Sequence, residues 1–475
     1  MTDDDGEHGE PRPGEGLAGD NVIPIRTNVP AYMLPEFQIT TEAVASEFAK
    51  RHANRLRYVR EFGEWMVFTG GRWKMDRTGR AVDLAGTLCC EIGKERPKDR
   101  KKVEMWGFVS AVEQRARTLA KLAIDADAFD RNPRILNTPT GTIELDTGEM
   151  RAHRRIDYCS KVTECPPSEG GCPLWLRFLG KITGGDDGLQ TFLQRMVGYC
   201  LTGGTAEEVL FFLYGTGQNG KGTFLQTISK IMGDYATTAA IETFTAGQFE
   251  HHPEELAVLR GARLVTAVET EQNKRWSESK VKLLTGGDSI RARFMRADSF
   301  EYTPAFKLVI VGNHKPALQS VDKAIRRRLH LVPFSITIED DERDESLKEQ
   351  LKKEYPAILR WAIDGTMAFL VQGLDPPPVV RDATAEYLDS EDAVGSFIEE
   401  ECRKDPQAFT ASSALYASWR KWAEDRGEYI GSMRAFSQCL MSKGFTYRRT
   451  ESLRGFRGIA LKPISAARAP EQMGW

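Results

Sequence analysis

The chain has 475 residues, of which 41% are hydrophobic and 28% charged, with a formal net charge of −3. That length predicts about three domains and a core that needs no disulfide or metal staple. No apolar run approaches the roughly 18 residues of a membrane span, and Met1-Thr2-Asp3-Asp4-Asp5 has neither the basic patch nor the apolar stretch of a secretory signal. Eight scattered cysteines fit a reducing cytosol, so the expected location is cytoplasmic.

Residues 1–38 read as a disordered acidic leader, since the first twenty carry seven acids against one base. Residues 39–200 read as one α+β domain. It opens with a helix over about 40–60, followed by a hairpin at Trp65–Phe68 and Arg72–Met75 and a helical stretch over 80–123. Two short strands flank the turn in Leu136–Leu145, and helices follow the Pro166–Gly171 loop to about Leu201. Residues 201–340 alternate strands with helical segments. The apolar runs Val209–Leu213, Leu264–Val268 and Phe306–Val311 have the length of buried parallel strands, which predicts an α/β core. Residues 341–384 read as a helical linker. Residues 385–466 read as a basic module of two helices (Ser412–Glu424 and Ser432–Met441) and a hairpin within Phe445–Leu461, the outline of a winged helix. Residues 467–475 are a tail.

Chemistry concentrates at Gly215-Thr216-Gly217-Gln218-Asn219-Gly220-Lys221-Gly222-Thr223, between a predicted strand and a predicted helix. Glycines let backbone N–H groups close on phosphate oxygens, the helix start adds positive potential, and Lys221 supplies a mobile cation. The usual motif has Ser or Thr directly after the lysine. Here Gly222 stands there and the hydroxyl comes one residue later, so either Thr223 shifts to a magnesium ion or water takes that place. Glu269 and Glu271 follow the strand Leu264–Val268. An acid there can hold Mg²⁺ or orient the attacking water, and Glu269 is the nearer. Asn313, after the strand ending at Val311, suits a γ-phosphate sensor. The run Arg326-Arg327-Arg328 is a candidate arginine finger for a neighbouring subunit.

In this order the motifs resemble superfamily 3 helicases, AAA+ type ring ATPases. They are most similar to the helicase part of the phage and plasmid primase–helicase family, which includes the poxvirus primase–helicase. The likeness rests on Tyr214–Phe224, Lys282–Arg293, Val311–Pro316 and Arg326–Phe334, and extends upstream through Trp65–Trp73, Leu136–Leu145 and Gly198–Gly203. It implies an AAA+ type P-loop core with a parallel sheet, preceded by a helicase-associated domain and followed by a winged helix. It also implies ATP and Mg²⁺ as cofactors, held by residues 215–223 and by Thr223 with Glu269. Lys221 corresponds to the Walker A lysine, Glu269 to the Walker B acid, Asn313 to the sensor, and Arg327 or Arg328 to the finger. A hairpin over Ser289–Thr303 is expected to carry Arg296 at its tip, so that Arg296, Arg293 and Lys282 meet DNA. Arg448, Arg449 and Arg454 are expected to contact phosphates from the terminal module.

The implied protein is a replicative DNA helicase of a phage or mobile element in a bacterial host. It would form a hexamer or similar ring on single-stranded and forked DNA and use a separate primase and an initiator or loader. No primase domain is expected in this chain. An ATP-dependent origin-binding initiator that does not unwind processively is the alternative.

Overall fold

The computed structural model describes residues 31–34, 36–246, 253–268, 275–293, 299–318, 321–428, 430–449 and 453–462. They fall into two compact units.

One unit, residues up to 53 together with 79–122, is helical. It contains α1 (Thr41–His52), α2 (Arg80–Glu95), α3 (Arg100–Val103) and α4 (Trp106–Ala116). Thr40 caps α1, its side chain accepting a hydrogen bond from Ala43 N at 3.1 Å, and α1 buries Val44, Ala45, Phe48 and Ala49. The helix expected over 40–60 stops at His52. Leu56 and Val59 face a core as part of a strand, so the second half of that segment belongs to the other unit. The expected domain 39–200 is therefore divided between the two units.

In the other unit, β1 (Leu56–Val59), β2 (Glu64–Phe68) and β3 (Trp73–Met75) pair antiparallel, and β4 (Ala123–Ile124) joins β1 in parallel. A meander of β5 (Ile135–Asn137), β6 (Thr142–Glu144) and β7 (Glu149–Arg151) precedes α5 (Pro173–Ile182) and α6 (Asp187–Leu201).

The centre is a five-stranded parallel sheet. Its strands are β8 (Leu210–Tyr214), β9 (Ala236–Thr238), β10 (Leu264–Val268), β13 (Lys307–Gly312) and β14 (Leu329–Pro333), in the order β14-β8-β13-β10-β9. β8, β10, β13 and β14 are mostly apolar because both faces are covered, whereas the edge strand β9 is Ala236-Thr237-Thr238. Phe211, Leu213, Val309 and Val332 point into one core with α5, α6 and α7 (Lys221–Met232). Leu210, Phe212, Val265, Leu308 and Leu331 point into the other. That second core holds α8 (Pro253–Ala257), α9 (Glu278–Thr285) and α10 (Lys323–Arg328). Between β10 and β13, β11 (Ile290–Arg293) and β12 (Ser299–Tyr302) pair as the expected hairpin. Ile290 and Ala292 are buried and Arg291 and Arg293 exposed, while 294–298 lie outside the described residues.

After the sheet come α11 (Leu347–Lys352), α12 (Tyr355–Gln372) and α13 (Pro378–Ser390). The expected linker 341–384 is not a free connection, because α12 is built into the first core. Gly198 of α6 meets Gly365 of α12 so closely that an added Cβ on Gly198 would stand 2.2 Å from the Gly365 carbonyl carbon. The boundary expected at 385 falls inside α13, which lies on β14, with Thr384 Oγ1 accepting from Leu331 N at 2.9 Å.

The chain continues with α14 (Ala393–Glu401), β15 (Cys402–Ala411), α15 (Ser412–Arg426), α16 (Met433–Ser442), β16 (Thr446–Arg449) and β17 (Arg454–Leu461). The sheet order is β15-β17-β16, all antiparallel. Leu415, Trp419 and Trp422 of α15 are core residues with Phe397, Phe436 and Phe456. No helix among the described residues is long and apolar enough to cross a membrane.

Candidate functional site

In a parallel sheet, ligands gather at the carboxyl ends of the strands. Because β8 lies between β13 and β14, the loop leaving β8 is flanked by residues leaving both neighbours. This glycine-rich loop, 215–220, turns tightly into α7. Gly220 caps α7 at φ 77°, and an added Cβ would stand 2.4 Å from Ile182 Cγ2. At Gly215 an added Cβ would stand 2.2 Å from Asn219 Nδ2 and 2.3 Å from Phe334 O. Two bonds tie the loop to the chain after β14: Asn219 Nδ2 donates to Phe334 O at 3.0 Å, and Ile338 N donates to Gln218 O at 2.8 Å.

Lys221, on the first turn of α7, is only 4% exposed. Its Nζ donates to Gly215 O at 2.8 Å, Asn219 Oδ1 at 2.9 Å and Asn313 Oδ1 at 3.3 Å. All three acceptors are neutral, so burial is not offset by a counter-charge and pushes the ammonium down to about 8. Beside it lies a cleft of about 320 Å³, whose lining includes Gly217, Thr223, Val268, Asn313 and Lys348.

The structure therefore brings together the predicted loop 215–223 and Asn313. Gly222 is exposed with open space around it, and Thr223 is half-buried at the cleft. Glu269 and Arg296 lie outside the described residues.

The predicted arginine pair is split by environment. Arg327 is 62% exposed at its side chain and gives Nη2 to Glu208 Oε2 at 2.6 Å. Arg328 is buried. It reaches the same oxygen at 2.6 Å and also donates to Thr285 Oγ1 and Ala324 O. Of the two finger candidates, Arg328 thus has its donors engaged inside its own chain and Arg327 is the exposed one. Lys282 is half-buried and pairs with Asp322, its Nζ 2.6 Å from Oδ2. Arg293, Arg448, Arg449 and Arg454 are exposed on their strands, and Arg449 stands directly opposite Arg454 in the β16–β17 register.

Two features escaped the sequence reading. Lys348 of α11 lines the cleft, with Nζ on Gln226 Oε1 at 2.8 Å; nothing in that charged segment distinguishes it from its neighbours. Lys307 is buried at the start of β13. It donates to the carbonyls of Thr202, Gly204 and Ala305, and burial pushes it down to about 7. A lysine at the head of an apolar strand was its signal.

A family model described as "D5 N terminal like" matches residues 45–184, and a "Family of unknown function (DUF5906)" matches residues 213–328. "Putative helicase 022R" of Frog virus 3 (isolate Goorha) is 27% identical over 309 residues. Together these matches support a likeness to D5-like superfamily 3 helicases. The Frog virus 3 match takes in 60% of this D5-like chain and 31% of the relative. "Putative helicase L207/L206" of Acanthamoeba polyphaga mimivirus is 26% identical over 322 residues, 62% of this chain and 33% of that one. The D5-like chain thus spans about a third of the length of these relatives. Among solved structures, the apo NrS-1 C-terminal region aligns with 85% of this chain and 96% of that chain, at 8% identity and a TM-score of 0.45.

Proposed function

We propose that this D5-like chain is the ATP-hydrolysing motor of a DNA helicase, with an AAA+ type P-loop core and a winged-helix terminal module, acting as a hexamer or similar ring on single-stranded and forked DNA. The observation that carries the reading is the buried Lys221 ammonium, held only by neutral acceptors at the edge of an open cleft. Charge-assisted hydrogen bonds to phosphate are roughly twice as strong as neutral ones, so a nucleotide's β- and γ-phosphates would draw Nζ away from Asn219 and Asn313. Asn313 would then be free to hydrogen-bond the γ-phosphate or the attacking water, which couples nucleotide occupancy to the end of β13. Lys348, which also lines the cleft, would approach the phosphates.

The donor set suits magnesium, which takes one or two protein oxygens and keeps phosphate and water for the rest. Thr223 at the cleft and Glu269, the residue after cleft-lining Val268, would hold it. When bound, the ion supplies neutralisation of the phosphate oxygens.

Across a subunit boundary Arg327, exposed and held only by Glu208 among the described contacts, would exchange that carboxylate for the neighbour's γ-phosphate. The β11–β12 hairpin would carry Arg293, and at its tip Arg296, to the DNA. Two arginines facing each other across β16 and β17 repel without an anion between them, which suits Arg448, Arg449 and Arg454 to phosphate. A separate primase and an initiator or loader would complete the replication machinery in the cytoplasm of a phage-bearing or element-bearing bacterial host. ATP hydrolysis with and without single-stranded DNA tests this reading. Turnover stimulated by the strand and lost in Lys221→Ala supports it, and absence of turnover in the intact protein overturns it.

A further inference from the structure

The described tryptophans divide sharply. Seven are at most 9% exposed, whereas Trp106 is 73% exposed, with Met105 beside it at 63%. Trp106 is in helical phase with Val109, Glu113 and Ala116, the buried stripe of α4, so the sequence pattern alone would bury it. It lies instead past the end of that stripe and leaves its ring to solvent. Just upstream, Lys98, Lys101 and Lys102 are all exposed. Lys102 Nζ donates to Ile39 O at 2.9 Å, and the acids of this stretch are partly spent, Glu104 pairing with Arg100 at 2.9 Å. Lys98 and Lys101 make no ion pair among the described residues.

We propose that this patch, Met105 and Trp106 with Lys98, Lys101 and Lys102, is a docking site for single-stranded DNA, separate from the hairpin and the terminal module. An exposed ring within eight residues of three exposed lysines, of which Lys98 and Lys101 make no ion pair among the described residues, matches the two halves of a nucleotide: the ring stacks on a base face and the cations meet phosphates. A duplex hides its base faces within the stack, so the occupant is a single strand. A protein partner fits less well, because interface cores are depleted of lysine and built on contiguous apolar surface. The proposal rests on surface chemistry and not on the ATP site, although it would give the motor a second grip on its strand.

The test uses the full chain without nucleotide, titrated with oligothymidylate while tryptophan fluorescence and the anisotropy of a labelled strand are followed. Stacking on Trp106 quenches its emission, and Trp106→Phe removes that quench while retaining most of the affinity. Trp106→Ala weakens binding roughly tenfold, the typical size of one lost base stack. Lys98→Glu with Lys101→Glu flattens the dependence of log affinity on log salt by about 1.4. Affinity within twofold of wild type in Trp106→Ala, or a quench that persists in Trp106→Phe, overturns the site. Tighter binding of oligouridylate than of oligothymidylate overturns DNA as the occupant. ATP turnover measured without DNA separates the two readings. It is unchanged in Trp106→Ala, and its absence in wild type refutes the motor without touching the patch.

Discussion

Lys221 Nζ and Asn313 Oδ1 lie 3.3 Å apart, joining the loop that leaves β8 to the end of its neighbour β13. If the cleft takes ATP as proposed, its γ-phosphate would compete with Asn313 for Lys221 Nζ. Lys221→Ala is expected to lower ATP turnover by about 10²–10³, the typical loss on removing one donor from developing phosphoryl-type charge. Asn313→Ala should lower turnover while leaving nucleotide affinity within a few-fold, since Lys221 keeps its other two acceptors. Steady-state kinetics paired with nucleotide binding separates these outcomes.

Burial pushes the free Lys221 ammonium down to about 8. A bound phosphate anion would raise it again, so above pH 8 binding must take up a proton. ATP affinity is expected to fall about tenfold per pH unit above 8 and to be flat below it. Lys221→Arg removes this dependence because guanidinium stays charged. For the free protein the sign is opposite: a lysine with a depressed folded value favours stability as pH rises from about 8 towards its unfolded value. Calorimetry of wild type and Lys221→Met across that window reads the difference, which the variant lacks.

Gly222 has open space for a side chain and no left-handed backbone requirement. Gly222→Ser should fold normally and place a hydroxyl directly after Lys221. If Thr223 serves magnesium only because Gly222 cannot, Thr223→Ala should lose turnover and the double variant Gly222→Ser with Thr223→Ala should recover it. Turnover at varied Mg²⁺ reports the exchange.

Arg327 and Arg328 share Glu208 but differ in burial. Arg328→Ala should cost about 2–3 kcal/mol of stability, less than a fully enclosed pair because Glu208 keeps some water. Arg327→Ala should melt within a degree or two of wild type yet lose turnover. Mixing Arg327→Ala with Lys221→Ala subunits should restore part of it, since an interface at which the first supplies Lys221 and the second supplies Arg327 has both halves intact.

Gly198 and Gly365 set how closely α6 and α12 cross. Gly198→Ala is expected to cost at least about 2 kcal/mol, because the added methyl meets backbone rather than a flexible side chain. Urea unfolding measures it.

The parallel sheet and the loop before Lys221 were legible because they obey local rules: apolar runs of strand length, then glycines, then a lysine. The hairpin of β11 and β12 was expected from the family resemblance rather than from a local rule. The limits arose where burial depends on distant chain. Tyr355–Gln372 reads as a linker until Gly365 is seen against Gly198, and Leu56–Val59 reads as helix until β2 supplies its partner. Within Arg326–Arg328 identical residues give sequence little to rank them by; Arg327 and Arg328 share the half-buried Glu208, and it is their own burial, 62% against 8% side-chain exposure, that separates them. Lys348 reaches the cleft from a helix more than 120 residues beyond the loop, with no motif of its own.

The central claim is that ATP turnover at Lys221 drives strand separation. Displacement of a labelled strand from a forked duplex, with ATP and Mg²⁺ and with wild type and Lys221→Ala side by side, tests it most directly. The account predicts displacement by wild type and none by the variant. Fork binding by both proteins without displacement by either would contradict it and place the chain with ATP-dependent initiators.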